Sequence, residues 1–351
     1  MSPRLCDALG IDVPLLQAGM GGVAGPELAA AVSEAGAGGC LALYKELPEH
    51  IPALVERVRQ RTGRAFGINI IPEVVGDARA EEQLRAALDA LPERAFLTFF
   101  GLPGPRCLAL LRRVGHMGRV GRTAARPVVV QVGSPDDAGR AADQGADVVV
   151  LQNRSAGGHL LGDQEADELL EGVRRSRPHL PLVTAGGIGD GRDLAAAEAR
   201  GTDGALCGTL FVPAHESDAH RVFKERVLRA TSAETVVTGL YRVGWPGRRH
   251  RVLRTAVTDA GPGLPEAFIS TAEHHGRRHP IPRYSAAAPT RHCTGRIEEM
   301  AMYCGESVDR VHSGATAAAI VTEFRRQYEQ GEQGEQREQR EQREESDQYG
   351  P

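Results

Sequence analysis

The feature that most restricts this chain is an eightfold alternation, in which short runs of Val, Leu and Ile are each followed by a longer amphipathic stretch with helical spacing. The runs begin at Val13 (VPLLQA), Gly38 (GGCLAL), Ala65 (AFGINI), Ala95 (AFLTFF), Pro127 (PVVVQV), Asp147 (DVVVLQ), Pro181 (PLVTAG) and Gly204 (GALCGT). Strand followed by helix, many times over, means parallel pairing, because parallel neighbours need the crossover that a helix supplies. Eight such strands close a barrel, whereas an open doubly wound sheet usually has fewer and reverses its order once. The expected fold class is therefore α/β, a (β/α)₈ TIM barrel. Between the runs, Pro26 and Pro48 open helices that Gly36 and Gly63 stop, and Ser134 before Pro135 is a credible N-cap with Asp136 and Asp137 in the first turn. Further helices are expected near Asp77, Pro105, Gln164, Gly191 and His215.

Residues 1–230 are assigned to the barrel. Beyond Ala230 the alternation gives way to Gly, Pro, Arg and His, and 231–295 is expected to be a small C-terminal capping subdomain that bears on substrate fit. A helical pattern returns over 296–330, broken near Gly305 and Gly314, and is expected to pack on the barrel. The Glu/Gln/Arg segment 331–351 has no apolar side chain to bury and is expected to be a disordered tail, with a solvated continuation of the preceding helix as the alternative.

A barrel of about 250 residues plus an appendage fits the 351 residues present; a second full-sized domain does not. Forty-two basic against 46 acidic residues, with no basic block, and 4% aromatic residues disfavour a nucleic-acid partner. Lys45 and Lys224 are the only lysines, which excludes most lysine-based mechanisms. The six cysteines are far apart and form no metal-like spacing, so reduced thiols and no metal are expected. No apolar run approaches the roughly 18 residues that a membrane span needs, and a cytoplasmic protein is expected, with homo-oligomers left open.

A barrel of this kind places its active site at the carboxyl ends of its strands. After the first strand comes QAGMGG (Gln17–Gly22), where Ala18 and Gly19 let backbone lie flat against a planar ligand while Met20 covers it. Asn69 and Gln131 end the third and fifth strands as polar side chains; both satisfy hydrogen bonds within the barrel or meet a shared polar ligand such as the edge of a flavin ring. The seventh and eighth strands end in AGGIGDGRD and CGTLF, where Gly186 and Gly187 on one side, and Gly208 and the Thr209 hydroxyl beside Cys207 on the other, are placed to hold a phosphate with help from a helix N-terminus. The sixth leads into LQNRSAGGHLLGD, which puts His159 behind Gly157 and Gly158 as a candidate catalytic acid/base group with an ordinary pKa of about 6.5. Phe99 and Phe100 are pocket-wall or core residues, and His274, His275 and His279 are read as a solvated loop.

Taken together, QAGM from Gln17, FGLP from Phe100, AGGH from Ala156, TAGGI from Thr184 and GTLF from Gly208, followed by TVVT at Thr235 and RVLR at Arg251, resemble the nitronate monooxygenase family, formerly called 2-nitropropane dioxygenases. The resemblance covers the chain to about Gln330. It implies non-covalent FMN, with its phosphate at Gly186, Gly187, Gly208 and Thr209, its ring near Ala18, Met20, Asn69 and Gln131, and His159 facing it. The implied reaction is oxidation of alkyl nitronates, or of nitroalkanes deprotonated first, by O₂ to a carbonyl compound and nitrite. Two positions depart from the pattern: Ser155, after Arg154, stands where family members commonly carry an acid before AGGH, and Gly19 replaces the Pro of QAPM. The FMN-dependent enoyl-acyl-carrier-protein reductases, which use NAD(P)H, resemble the chain too, and Arg242, Arg248 and Arg249 are candidate carrier-phosphate ligands on that alternative. A flavin-less binding barrel is a third reading.

Overall fold

The computed structural model describes residues 3–116 and 126–348. All eight apolar runs are strands: β1 Leu15–Gln17, β2 Cys40–Ala42, β3 Gly67–Ile70, β4 Phe96–Phe100, β5 Val128–Val132, β6 Val148–Gln152, β7 Leu182–Ala185 and β8 Ala205–Cys207. They pair in parallel in the order β1-β8-β7-β6-β5-β4-β3-β2. The ring closes where Leu16 bridges Gly38, with Gln17 N–H donating to the Gly38 carbonyl at 2.9 Å. A Cβ on Gly38 would lie 2.3 Å from Leu16 Cδ2, so Leu16 fills the space that a side chain at the seam would take. Gln17, wholly buried, reinforces it by accepting from the Cys40 amide at 2.9 Å.

Both faces of the strands are buried, which is why they read as unbroken Val and Leu runs and not as alternating ones. Inward residues such as Leu16, Phe96, Val129, Val150 and Val183 form one cluster with Leu5 and Leu9 of the N-terminal helix, which plugs the amino end of the barrel. Ser134 caps Pro135–Gln144 through the Asp137 amide, as expected. The last barrel helix starts at Arg221, capped by His220, later than the expected His215.

After that helix two small antiparallel sheets form. In the first, β9 Thr235–Thr238 pairs with β10 His250–Leu253, which also pairs with the two-residue strand Gly158–His159. In the second, β11 Phe268–His274 lies between β12 Arg277–Pro282 and β13 Cys293–Gly295.

The helical pattern expected from 296 is corrected: Ile297–Glu299 and Glu306–Arg310 are single 3₁₀ turns, and the chain between them is extended. Met300, Ala301, Met302 and Cys304 are all buried there, so the apolar residues fill both sides of a strap and not one face of a helix. The final helix, Ala317–Gln348, continues through most of the segment expected to be a disordered tail, which is the continuation the composition also permits; residues 349–351 lie outside the described residues. Ala317, Val321, Phe324 and Tyr328 make its buried face, packed against the helix Gly191–Glu198. Among the described residues no helix is long and apolar enough to cross a membrane.

Candidate active site

A cavity of about 1120 Å³, counted to its solvent mouth, opens at the carboxyl ends of the barrel strands. Ala18, Gly19, Met20, Asn69, Gln131, Gly158, His159, Gly186, Cys207, Gly208 and Thr209 all line it. Gly187 does not; it faces a shallower neighbouring cleft with Ser155 and Asp193, and Gly186 lies between the two. Asn69 is oriented by Thr98, whose Oγ1 is 2.9 Å from Asn69 Oδ1. A Cβ on Gly19 would lie 2.3 Å from Asn69 Cβ, so in this chain the Asn69 side chain packs directly on the Gly19 backbone.

The glycines of the two last loops differ in what they are for. Gly186 and Gly187 have φ of +105° and +82°, and a Cβ on Gly186 would lie 2.6 Å from Ala156 N, so the turn and its packing already demand glycine. Gly208 has φ −106°, and a Cβ there meets only ordinary contacts, 3.5 Å to Ala18 Cβ and to Met20 Sδ. Among the described residues neither backbone conformation nor packing requires glycine at 208. The amides of Gly186, Gly187 and Gly208 donate to no backbone carbonyl among the described residues. Thr209 Oγ1 accepts from the Gly305 amide at 2.9 Å and also meets the Cys304 thiol. The helix expected to assist is not free to do so: Asp190 and Asp193 form a capping box over the start of Gly191–Glu198, and Asp193 also takes the Gly189 amide.

The His159 loop is held by side chains at its root. Buried Gln152 donates to the His159 carbonyl at 3.0 Å and accepts from the Leu161 amide at 2.7 Å. Asn153 donates to the Gly186 carbonyl at 2.9 Å and accepts from the Ser155 amide at 2.9 Å, tying this loop to the glycine turn. Where the family motif would carry an acid, Ser155 Oγ donates to Glu306 at 2.6 Å, and Arg251 holds Glu306 at 2.9 Å. A carboxylate thus reaches the position from the other end of the chain.

His159 itself is 6% exposed, and its Nε2 is buried without a hydrogen-bond partner. Burial, with the positive charge potential of His250 and Arg248 nearby, pushes its pKa down to about 3. His250 is a satisfied core histidine: its Nε2 accepts from Tyr241 N–H at 3.3 Å, so Nδ1, 3.2 Å from the Arg248 carbonyl, carries the proton.

Sequence reasoning missed the roof. Trp245 stacks on His159 with ring centroids 3.7 Å apart and planes at 13°, and meets Phe100 edge-on at 5.5 Å. Glu73 fixes it, accepting from Trp245 Nε1 at 3.1 Å while paired with Arg248 through contacts of 2.7–2.9 Å. Tyr303, 5.2 Å from the His159 ring, and Tyr44, whose buried hydroxyl has no partner, complete the aromatic wall. Phe100 is wall and Phe99 is core. The available signal was the chain's single tryptophan, in a segment already expected to shape the pocket.

His274, His275 and His279 are exposed, as expected, on a hairpin, and His274 and His275 also lie against Glu46, outside the cavity. All six cysteines are unpaired.

A sequence profile of the nitronate monooxygenase family matches residues 2–99 and 120–326. A nitronate monooxygenase of Pseudomonas aeruginosa is 33% identical over 299 residues, 76% of this chain and 84% of that protein. Among solved structures, FabK from Thermotoga maritima has a TM-score of 0.75 at 27% identity over 93% of this chain and 96% of its own. A nitroalkane oxidase from Streptomyces ansochromogenes scores 0.69 at 26% over 94% and 99%. A family match over most of the chain, eight barrel strands in order and glycine loops meeting a buried histidine at one mouth converge: the chain is an oxidoreductase that belongs to the nitronate monooxygenase family.

Proposed function

We propose that the chain is a cytoplasmic enzyme that binds FMN non-covalently in this cavity and oxidises alkyl nitronates with O₂ to a carbonyl compound and nitrite. The observation that carries the reading is the meeting in one place of unused glycine amides and a buried, unpartnered imidazole. The residues fit the cofactor: Gly208 is glycine without a conformational or packing need for it, as a cradle for a bound group would be. The Gly186 and Gly208 amides with the Thr209 hydroxyl would hold the phosphate, a role that loop amides fill without help from the capped helix, while Gly187 faces the neighbouring cleft and serves the turn. Ala18, Gly19, Met20, Gly158 and Cys207 would wall the ring, and Asn69 and Gln131 would present amides to its polar edge. Bound there, FMN would supply the electron acceptor for the substrate.

The remaining work falls to the chain. Trp245, Phe100, Tyr44 and Tyr303 exclude water from a cavity fit for a small substrate with an apolar tail. His159 is the catalytic residue, neutral while buried under Trp245, and its Nε2 is the unmatched polar atom that a nitronate or a nitroalkane would meet. Its depressed pKa makes it a weak base, so an already anionic nitronate, which needs no C–H deprotonation, suits the site better than a neutral nitroalkane.

The structural similarity to FabK keeps an NAD(P)H-dependent enoyl reductase as the second reading. Against it, Arg248 is occupied by Glu73, which leaves only the exposed Arg242 and Arg249 as carrier-phosphate ligands. One paired assay separates the two. Oxygen uptake with an alkyl nitronate and no nicotinamide supports the first, and anaerobic bleaching of the flavin by NADH or NADPH without nitronate turnover supports the second. A purified protein without a flavin spectrum refutes both.

A further inference from the structure

Outside the cavity, the hairpin β11–β12 and the loop after β2 bring together side chains that the oxidoreductase chemistry does not use. Glu46 Oε1 is 3.3 Å from His274 Nε2, and Glu46 Oε2 is 3.1 Å from His275 Nε2, residues as far as 229 positions apart in the chain. The donor atoms of the three lie within 4.8 Å of one another. His50, one turn beyond Glu46, places its ring 3.8 Å from that of His275 and its Nδ1 4.0 Å from Glu46 Oε2. That Nδ1 is buried and makes no hydrogen bond.

Two features distinguish this cluster from chance surface pairing. Adjacent residues of a strand point to opposite faces, yet His274 and His275 converge on one carboxylate. They do so because His275 has φ +48° and Gly276 φ +71°, the left-handed pair of a tight two-residue hairpin turn in which Asn-Gly is usual. His in the Asn position supplies a ligand atom that Asn would not. The second feature is His50 Nδ1, buried without a hydrogen-bond partner 4.0 Å from Glu46 Oε2, which a shared cation would satisfy. Each Glu46 oxygen also stands near the donor separation of about 3.3 Å expected around tetrahedral Zn²⁺, Oε1 at 3.3 Å from His274 Nε2 and Oε2 at 3.1 Å from His275 Nε2.

We propose that Glu46, His274 and His275, with His50 as the fourth donor, bind a divalent transition cation of the Zn²⁺ class. Three imidazoles and one carboxylate suit Zn²⁺, Ni²⁺ or Cu²⁺, whereas Mg²⁺ and Ca²⁺ prefer oxygen donors. The bound cation ties the hairpin to the barrel rim two residues from Tyr44, which lines the cavity. This site is independent of the reading of the cavity itself.

The test uses the full chain without a histidine tag, stripped with a chelator and titrated with Zn²⁺ in a calorimeter. One equivalent should bind, and Zn²⁺ should raise the melting temperature. His275→Ala and Glu46→Gln should each weaken uptake at least ~10-fold and abolish the thermal shift. His312→Ala, an exposed histidine away from the hairpin, should change neither. Far-UV circular dichroism and melting of the metal-free variants should match the parent, so that lost uptake reports ligands and not unfolding. Absence of stoichiometric binding by the parent overturns the proposal, as does uptake that survives unchanged in the Glu46→Gln/His275→Ala double variant.

Discussion

The buried imidazole of His159 should make the protein acid-sensitive in a calculable way. Its pKa is pushed down to about 3 in the fold, against 6.5 for an ordinary histidine. Between those values the unfolded chain binds a proton that the folded chain refuses, so the contribution of this residue to stability is complete above pH 6.5 and is lost as pH falls towards 3. Each pH unit in that window removes about 1.36 kcal/mol, so at pH 5, about 1.5 units below the ordinary value, the loss is about 2 kcal/mol. His159→Phe keeps an aromatic ring for Trp245 to stack on and has no proton to refuse. Urea unfolding of both proteins at pH 7 and pH 5, read as midpoints with a common m-value, should show the parent losing about 2 kcal/mol more than the variant. Burial pushes His250 down as well, but that residue is present in both proteins and its effect cancels to first order. Equal losses in the two proteins would refute the argument, as would an imidazole resonance of His159 titrating near 6.5.

Three further outcomes follow from the site. Gly208→Ala should leave stability within about 0.5 kcal/mol, because its Cβ meets only ordinary contacts, yet reduce retained flavin on gel filtration; unchanged flavin content would remove the cradle. Gln152→Ala strands the His159 carbonyl and the Leu161 amide in the interior and should destabilise the fold by about 1–3 kcal/mol in chemical denaturation, with a loss of activity from loosening of the loop. His159→Ala should keep the cofactor spectrum and most turnover of nitronates while losing turnover of neutral nitroalkanes, so equal effects on the two substrates would deny the imidazole a part in proton transfer.

The barrel was legible because its signals are local. A strand buried on both faces leaves a Val run such as that at Val128, a cap such as Ser134 sits beside the helix it starts, and Ala317, Val321, Phe324 and Tyr328 repeat at helical intervals. The loops at the strand ends were legible for the same reason, since chain order around a barrel fixes which of them share a mouth. What escaped depends on contacts between distant segments. The Trp245 ring reaches His159 only because β10 pairs with Gly158–His159, a register that no spacing encodes. The strap before the last helix looked helical because apolar content alone does not say whether residues fill one side or two. The exposure of His274 and His275 was legible but their shared partner was not, because Glu46 lies 229 positions from His275.

The backbone contact between Gly157 and Gly305 has a consequence for synthesis. A Cβ on Gly157 would lie 2.5 Å from Gly305 N, and the same strap gives Glu306 N–H to the Ser155 carbonyl at 3.0 Å and Gly305 N–H to Thr209. All eight barrel strands precede this strap in the chain, so a chain that stops short of Gly305 has every barrel strand while the His159 loop lacks the segment that braces it. A series of C-terminal truncations should show helical and strand content appearing well before turnover, with activity arising only once the strap has been made.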